Sequence, residues 1–231
     1  MSVAINLKQL QERIAAVAKR AGRDPAEIKL VAVTKNVTIE NIRAALTCGV
    51  TRMGENRVQE LLSKYDQLPA EVEWHFIGHL QTNKVNKIVD KVSLIHSLDR
   101  WTLADTLNRA AVAKGRVCKV LVQVNVAGET TKSGLEPIET VDFITAARDL
   151  PGIEVVGLMT IAPWSTDPEN SRPVFKRLKE IAGIVGEKVS DVSMDYLSMG
   201  MSGDWEVAVE EGANILRIGT AIFGERNGNI N

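Results

Sequence analysis

The chain of 231 residues is 45% hydrophobic and 25% charged, an ordinary globular composition, and its length suits a single α/β barrel. Its formal net charge of −1 at pH 7 gives no overall basic field, which argues against nucleic acid or an anionic membrane as a partner. The first residues are interrupted by charged and polar groups, so the sequence predicts a cytoplasmic protein with no secretion signal and no membrane span.

Strands and helices alternate along almost the whole chain, after an amphipathic helix at the N-terminus. In that helix, residues 6–22, the apolar positions Leu7, Leu10, Ile14 and Val17 recur at helical spacing. Short apolar runs predict eight strands, at residues 29–35, 52–55, 74–78, 94–97, 118–125, 155–159, 196–198 and 214–218. Helices are predicted between them, at residues 39–46, 58–65, 83–90, 101–114, 138–150, 169–186 and 205–211.

The alternation of strands and helices indicates a fold class. Strands separated by helices are joined by crossover connections, which make neighbouring strands parallel. Most of the eight runs are continuously apolar, as expected for strands covered on both faces. The pattern predicts one domain over residues 1–231, a (β/α)8 TIM barrel with an additional N-terminal helix. An open, doubly wound sheet is the alternative, but the turn after Thr34 lacks the glycine-rich dinucleotide-binding fingerprint.

Two of the predicted strand ends carry groups suited to a phosphorylated aldehyde. In such barrels the functional site lies at the carboxyl ends of the strands, where the βα loops converge. The first strand ends at Lys35, whose amine can form an imine with an aldehyde. The eighth strand carries Arg217 and ends in the turn Gly219-Thr220, whose backbone N–H groups can hold a phosphate. Together these ends point to pyridoxal 5′-phosphate.

Six segments, spread over nearly the whole chain, resemble a known family and occur in the family's order. They are residues 30–35 (LVAVTK), 54–56 (GEN), 75–84 (HFIGHLQTNK), 157–160 (GLMT), 198–204 (SMGMSGD) and 217–224 (RIGTAIFG). These segments are similar to those of the pyridoxal phosphate homeostasis proteins, relatives of the N-terminal barrel of alanine racemase. The resemblance implies a protein that binds pyridoxal 5′-phosphate and takes part in intracellular vitamin B6 homeostasis, with no established catalytic turnover.

The resemblance also implies where each part of the cofactor lies. Lys35 is implied as the Schiff-base lysine, Arg217 as the residue that faces the pyridine nitrogen, and Asn56 as a neighbour of the ring. No catalytic residue is implied. The phosphate side is implied to consist of Ser198, Met199, Gly200, Gly219 and Thr220.

Some of these residues also have a purely structural interpretation. Arg217 could form an ion pair inside the barrel, with Glu55 or Asp204 as its partner. His75 and His79 are four residues apart, which invites a zinc interpretation. One is predicted in a strand and the other in the following turn, with no third ligand nearby, and catalytic zinc usually needs three protein ligands. We therefore predict no metal site.

Three functions fit a lysine-bearing barrel of this kind. They are a non-catalytic carrier of the cofactor, a fold-type III racemase or decarboxylase that uses the same cofactor, and an aldolase-like enzyme whose Lys35 forms an imine with substrate. Racemization needs a base on each face of the α-carbon, and the racemases that this chain resembles supply a tyrosine from an additional domain. The sequence ends soon after its eighth strand and contains only Tyr65 and Tyr196, both predicted away from the site.

The charge of Arg217 also favours a carrier. A permanent cation at the pyridine nitrogen disfavours protonation there, which makes the cofactor a weaker electron sink. The aldolase interpretation lacks acidic partners beyond Glu55 and Asp204. We therefore expect a monomeric, non-catalytic carrier or regulator, with pyridoxal 5′-phosphate as ligand and apo pyridoxal phosphate enzymes as recipients.

Overall fold

Eight parallel strands form a closed barrel in the computed structural model, which describes residues 2–129 and 133–225. Each strand pairs with the next along the chain, and β8 returns to pair with β1. The barrel prediction is thus confirmed, and the open-sheet alternative is wrong. The strands are β1 (Lys29–Val33), β2 (Arg52–Glu55), β3 (Glu73–Phe76), β4 (Leu94–Leu98), β5 (Cys118–Gln123), β6 (Ile153–Met159), β7 (Tyr196–Ser198) and β8 (Ile215–Ile218).

Helices connect the strands and cover the outside of the barrel. The helix α1, predicted from its apolar stripe, buries Leu7, Leu10, Ile14 and Val17 and lies against α2, α8 and α9. No helix in the described ranges is long and apolar enough to cross a membrane. The helices are α1 (Val3–Arg20), α2 (Ile39–Thr47), α3 (Val58–Tyr65), α4 (Val85–Ile88), α5 (Trp101–Ala113), α6 (Thr140–Ala147), α7 (Arg172–Lys188), α8 (Trp205–Glu210) and α9 (Thr220–Phe223).

The core has two parts because strand side chains alternate between the two faces of the sheet. A large apolar cluster fills the space between the strands and the surrounding helices. A smaller cluster fills part of the barrel interior and consists of Val31, Leu94, Leu121, Val156, Met159 and Ile215. The remaining interior positions are therefore available for polar side chains.

The first strand is two residues shorter than predicted. The N–H of Thr34 still donates to the carbonyl oxygen of Gly54 at 2.9 Å, but the Thr34 carbonyl accepts from the Lys64 amine at 2.7 Å. Asn36 then adopts a left-handed backbone conformation with φ of 56°. The Val37 N–H also donates to the Thr34 carbonyl at 2.9 Å, so a local turn and the Lys64 side chain of α3 together end the strand. The helices α4 and α6 begin later than predicted because 3₁₀ turns precede them, at Thr82–Lys84 and Pro137–Glu139.

Candidate functional site at the mouth of the barrel

A cavity of about 360 Å³ lies at the carboxyl end of the barrel. Its volume falls within the range of roughly 300–1,000 Å³ that is usual for small-molecule sites. The cavity is bordered by residues at the ends of β1 and β8 and by the loops that follow β6 and β7. Its lining residues are Val33, Pro163, Trp164, Ser165, Ser171, Met201, Ser202, Gly203, Asp204, Arg217, Gly219 and Thr220.

Arg217 contributes a buried guanidinium to the cavity wall. It donates to the hydroxyl of Ser198 at 2.6 Å and to the carbonyl oxygen of Thr160 at 2.9 Å. Both acceptors are neutral, and no ion pair joins Arg217 to a carboxylate among residues 2–129 and 133–225. Burial lowers the pKa of Arg217 to about 10, and the Asp204 carboxylate offsets only part of that effect. A buried charge without a counter-ion is costly, so an electron-rich ligand atom would stabilise this side chain.

Arg217 does not form the ion pair with Glu55 or Asp204 that was its structural alternative. Glu55 lies 2.8 Å from the amine of Lys64, with which it forms a buried ion pair. The Asp204 carboxylate accepts hydrogen bonds from the Met201 N–H at 2.7 Å and from the Ser171 hydroxyl at 3.2 Å. Both candidate carboxylates therefore have other partners.

A chain of neutral polar side chains continues from Arg217 through the barrel interior. Ser198 Oγ lies 2.9 Å from His96 Nδ1, and His96 Nε2 lies 2.8 Å from His75 Nδ1. Burial, then the charges of Arg52 and Lys29, lower the pKa of His75 to about 3. Burial, then His75 and Arg217, hold the pKa of His96 well below its ordinary value. Both rings are neutral at pH 7, so Arg217 is the charged member of this series of hydrogen-bonded side chains.

The sequence does not single out His96, although a signal for it exists. His96 stands two positions after Leu94 in β4, and Leu94 faces the barrel interior. Alternation places His96 on the same face. A histidine at an inward position of a buried strand needs polar partners, which here are Ser198 and His75.

The turn Gly219-Thr220 begins the short helix α9 beside the cavity. The carbonyl oxygen of Gly219 accepts from the N–H groups of Ile222 and Phe223, each at 2.9 Å. The N–H groups of Gly219 and Thr220 donate to no other residue in the described part of the chain. Two free N–H groups at a helix start suit an anion.

Ser202 is a further polar residue beside the Gly219-Thr220 turn, and the sequence interpretation misses it. It lines the cavity, and its hydroxyl accepts from the N–H of Ala221 at 3.3 Å, next to the turn. Ser198 and Ser202 are only four residues apart, and only the tertiary structure distinguishes their surroundings. Ser202 lies in the cavity wall, whereas Ser198 lies beneath it.

Three of the predicted phosphate-side residues, Ser198, Met199 and Gly200, do not line the cavity. The Ser198 hydroxyl is fully buried against His96 and Arg217. The N–H of Met199 donates to Ile215 at 3.2 Å, and the carbonyl of Gly200 accepts from the Arg217 N–H at 3.0 Å. These residues hold the end of β7 against β8. Their contact with a phosphate stays a prediction.

Lys35 and Asn56 follow the ends of adjacent strands, at the rim of the cavity rather than in its wall. Lys35 stands two residues after Val33, which lines the cavity, and its side chain is half-buried. Its amine has no hydrogen bond or ion pair with any part of the chain that the structure describes. Asn56 is also half-buried, and Gly78 packs on its backbone so closely that an added Cβ would lie 2.2 Å from the Asn56 carbonyl oxygen.

The two tyrosines and the two spaced histidines lie away from the cavity wall. Tyr196 accepts a hydrogen bond from the Lys29 amine at 2.7 Å, at the opposite end of the barrel, and Tyr65 is in the outer helix α3. His75 is in the barrel interior, whereas His79 lies 3.2 Å from an Asp99 carboxylate oxygen. Within the described ranges, no group of three or more potential metal ligands occurs.

Comparisons with known proteins find relatives that match nearly the whole chain. The family model of the alanine racemase N-terminal domain matches residues 5–227. The pyridoxal phosphate homeostasis protein of Aquifex aeolicus is 47% identical over 227 residues, covering 98% of this chain and 99% of that protein. The structure of PipY from Synechococcus elongatus with pyridoxal phosphate bound is 34% identical, with a TM-score of 0.84, and the match covers 96% of this chain and all of PipY.

A more distant relative shares the fold alone. Alanine racemase from Clostridium difficile is 16% identical with a TM-score of 0.76, and this chain covers 58% of its length. The family model, the near full-length matches and the barrel show that the chain belongs to the pyridoxal phosphate homeostasis protein family, whose barrel is the alanine racemase N-terminal domain.

Proposed function

We propose that this protein binds pyridoxal 5′-phosphate at the barrel mouth, as a Schiff base on Lys35, and serves cofactor homeostasis without catalytic turnover. One observation carries the proposal, namely the buried Arg217 guanidinium in the cavity wall, which has no carboxylate partner among the described residues. The names of its relatives and the cofactor bound to PipY support the same ligand.

The residues at the mouth suit the chemical groups of this cofactor. A pyridine nitrogen is a neutral acceptor for the Arg217 guanidinium, and the free N–H groups of Gly219 and Thr220 suit a phosphate. The cofactor supplies an aldehyde, which condenses with a lysine amine to form an imine and water. Lys35 offers such an amine at the rim, where it has no partner in the described ranges.

Arg217 and the tyrosines support binding without turnover. The pKa of Arg217, about 10, keeps the guanidinium charged at pH 7, so a pyridine nitrogen that faces it stays unprotonated. An unprotonated ring withdraws electrons weakly from an α-carbon. Tyr65 and Tyr196 lie away from the cavity, so neither provides the second base of a racemase.

Borohydride reduction of the purified protein in the presence of the cofactor tests the proposal. Reduction fixes an imine as a stable secondary amine, and peptide mass mapping then locates it. We expect a phosphopyridoxyl group on the peptide that contains Lys35. A matched control is Lys87→Ala, which removes an exposed lysine of α4 and should leave the labelling unchanged. Labelling confined to another lysine, or no coloured species, would contradict the proposal.

A further inference from the structure

A buried network of charged side chains lies behind Lys35, between the strands β1 and β2 and the helix α3. One carboxylate oxygen of Glu55 accepts from the Thr34 hydroxyl at 2.6 Å and from the Lys64 amine at 2.8 Å. The same amine donates to Glu60 at 2.8 Å. We call Thr34, Glu55, Glu60 and Lys64 the Lys64 network.

This network holds the two peptide groups that flank Lys35. The carbonyl oxygen of Thr34, which belongs to the peptide group before Lys35, accepts from the Lys64 amine at 2.7 Å. The N–H of Asn36, which belongs to the peptide group after Lys35, donates to Glu60 at 2.5 Å. The backbone of Lys35 is therefore tied to α3 on both sides, and the left-handed Asn36, with φ of 56°, is held as well.

Stability alone gives little reason for such a network. Glu55 is fully buried, and its second carboxylate oxygen has no hydrogen-bond partner. Burial raises the pKa of Glu55, although the hydrogen bonds from Lys64 and Thr34 act in the opposite direction. Apolar side chains often replace a buried ion pair without loss of stability, because the charges must first be removed from water. The arrangement therefore favours a role in holding the backbone around Lys35 in a defined conformation.

We propose that Glu55, Glu60 and Lys64 are positioning residues for the Lys35 amine. A lysine side chain has four rotatable bonds, so its amine reaches a defined point only if the Cα is held and its direction set. The network sets both without touching the amine, because it holds the backbone before and after Lys35. The inference rests on the proposed function, since it concerns the capture of the cofactor by that amine.

The test compares Lys64→Met with the matched variant Lys114→Met. Lys114 donates to a backbone carbonyl and pairs with Asp90, as Lys64 does with Thr34 and Glu55, but between α5 and α4. Apo forms are mixed with pyridoxal 5′-phosphate, and the rate of imine absorption and the visible circular dichroism of the bound cofactor are measured. We expect Lys64→Met to slow imine formation on the order of tenfold or more and to reduce the dichroism. Lys114→Met should change neither.

Variants at Glu60 distinguish a loss of Lys35 positioning from a general loss of structure. Glu60→Gln keeps an oxygen that can accept from the Asn36 N–H, whereas Glu60→Ala removes it. We expect Glu60→Ala to slow imine formation and Glu60→Gln to restore most of the rate, with urea unfolding midpoints showing that both are folded. This pair also decides the question if Lys64→Met does not fold.

The outcomes distinguish this inference from the proposed function. Folded Lys64→Met and Glu60→Ala variants that match the wild type in rate and dichroism overturn the positioning role and leave the proposed function intact. A wild-type protein that forms no imine at Lys35 overturns both. Slower imine formation in Lys114→Met, equal to that in Lys64→Met, also contradicts the positioning role, because it makes the effect general.

Discussion

The two ends of the barrel carry similar side chains but differ in how those side chains are paired. At the amino end, a cavity of about 200 Å³ is lined by Lys29, Arg52 and Lys119 among others. Lys29 donates to Tyr196 at 2.7 Å, whereas Arg52 and Lys119 lie 3.3 and 3.9 Å from carboxylates. Each cation of this floor has a partner within the protein.

At the carboxyl end, the pairing is less complete, although Arg217 donates to the neutral acceptors Ser198 and Thr160. In the described part of the chain, Arg217 forms no ion pair, the Lys35 amine has no polar contact, and the Gly219 and Thr220 N–H groups have no acceptor. The difference teaches that the presence of cations does not define a site in this barrel. A site is defined instead by charges and hydrogen-bonding groups that the protein leaves without full partners, because a ligand can supply those partners.

The largest expected effect compares the lysines at the two ends of β1. We expect Lys35→Ala to abolish borohydride-stable labelling by pyridoxal 5′-phosphate, because the Lys64 amine beside the same strand end is held by Thr34, Glu55 and Glu60. Lys29→Ala at the floor should retain full labelling, since its amine is held by Tyr196. Mass mapping of both variants provides the measurement. Equal labelling of the two variants would show that the ends do not differ in this way.

A second prediction concerns the histidine pair inside the barrel. The pKa of His75 is lowered to about 3, so between about pH 3 and its ordinary value of 6.5 the unfolded chain binds a proton that the folded protein does not. The buried, neutral His75 therefore makes its full contribution to the free energy of unfolding above about pH 6.5. As the pH falls below that value, the contribution decreases by about 1.4 kcal/mol per pH unit. Burial acts on His96 in the same direction.

Urea unfolding at pH 7 and pH 5 checks this second prediction. We expect the wild-type protein to lose more stability over that interval than His75→Phe, because the variant has no proton to take up at this position. Trp101→Phe, which changes an exposed side chain of α5 that has no titratable group, should behave like the wild type. A His75→Phe variant with an undiminished pH response would contradict the prediction.

A third, smaller effect is expected from the phosphate side of the cavity. A bulky apolar residue in Thr220→Leu should obstruct the two free N–H groups and weaken binding of pyridoxal 5′-phosphate by about tenfold. Unphosphorylated pyridoxal should bind nearly as before, because it lacks the anion. Titrations with both ligands measure the ratio, and Thr47→Leu, an exposed position at the end of α2, is the control. An unchanged ratio would place the phosphate elsewhere.

The smallest expected effect is on the exchange of the α-hydrogen of a free amino acid. Mixing the loaded protein with L-alanine in deuterated water should leave the α-hydrogen in place over many hours, because a pyridine nitrogen that faces the charged Arg217 would stay unprotonated and neither tyrosine reaches the cavity. An apo pyridoxal phosphate enzyme should regain activity in the same mixture as the cofactor passes to it. Rapid deuteration with formation of D-alanine, both abolished by Lys35→Ala, would identify a racemase instead of a carrier.

Much of the barrel could be predicted because its signals are local. Apolar runs identified all eight strands, and the predicted bounds of β2 and β7 agree with the structure. The predicted end of β1 was wrong because the Thr34 carbonyl accepts from the Val37 N–H in a turn and from the Lys64 amine, thirty residues further along the chain. A contact of that kind leaves no trace in the periodicity of the strand itself.

The sequence by itself determined the order of strands and helices, the family, and Arg217 as an unusual charge within an apolar strand. Only the tertiary structure decided which polar groups have partners. It placed Glu55 with Lys64 rather than Arg217, buried Ser198 under Arg217, and brought Ser202 into the cavity wall. The physical reason is that elements follow from local patterns, whereas satisfaction of a charge or hydrogen bond depends on strand register and on helices distant in the chain.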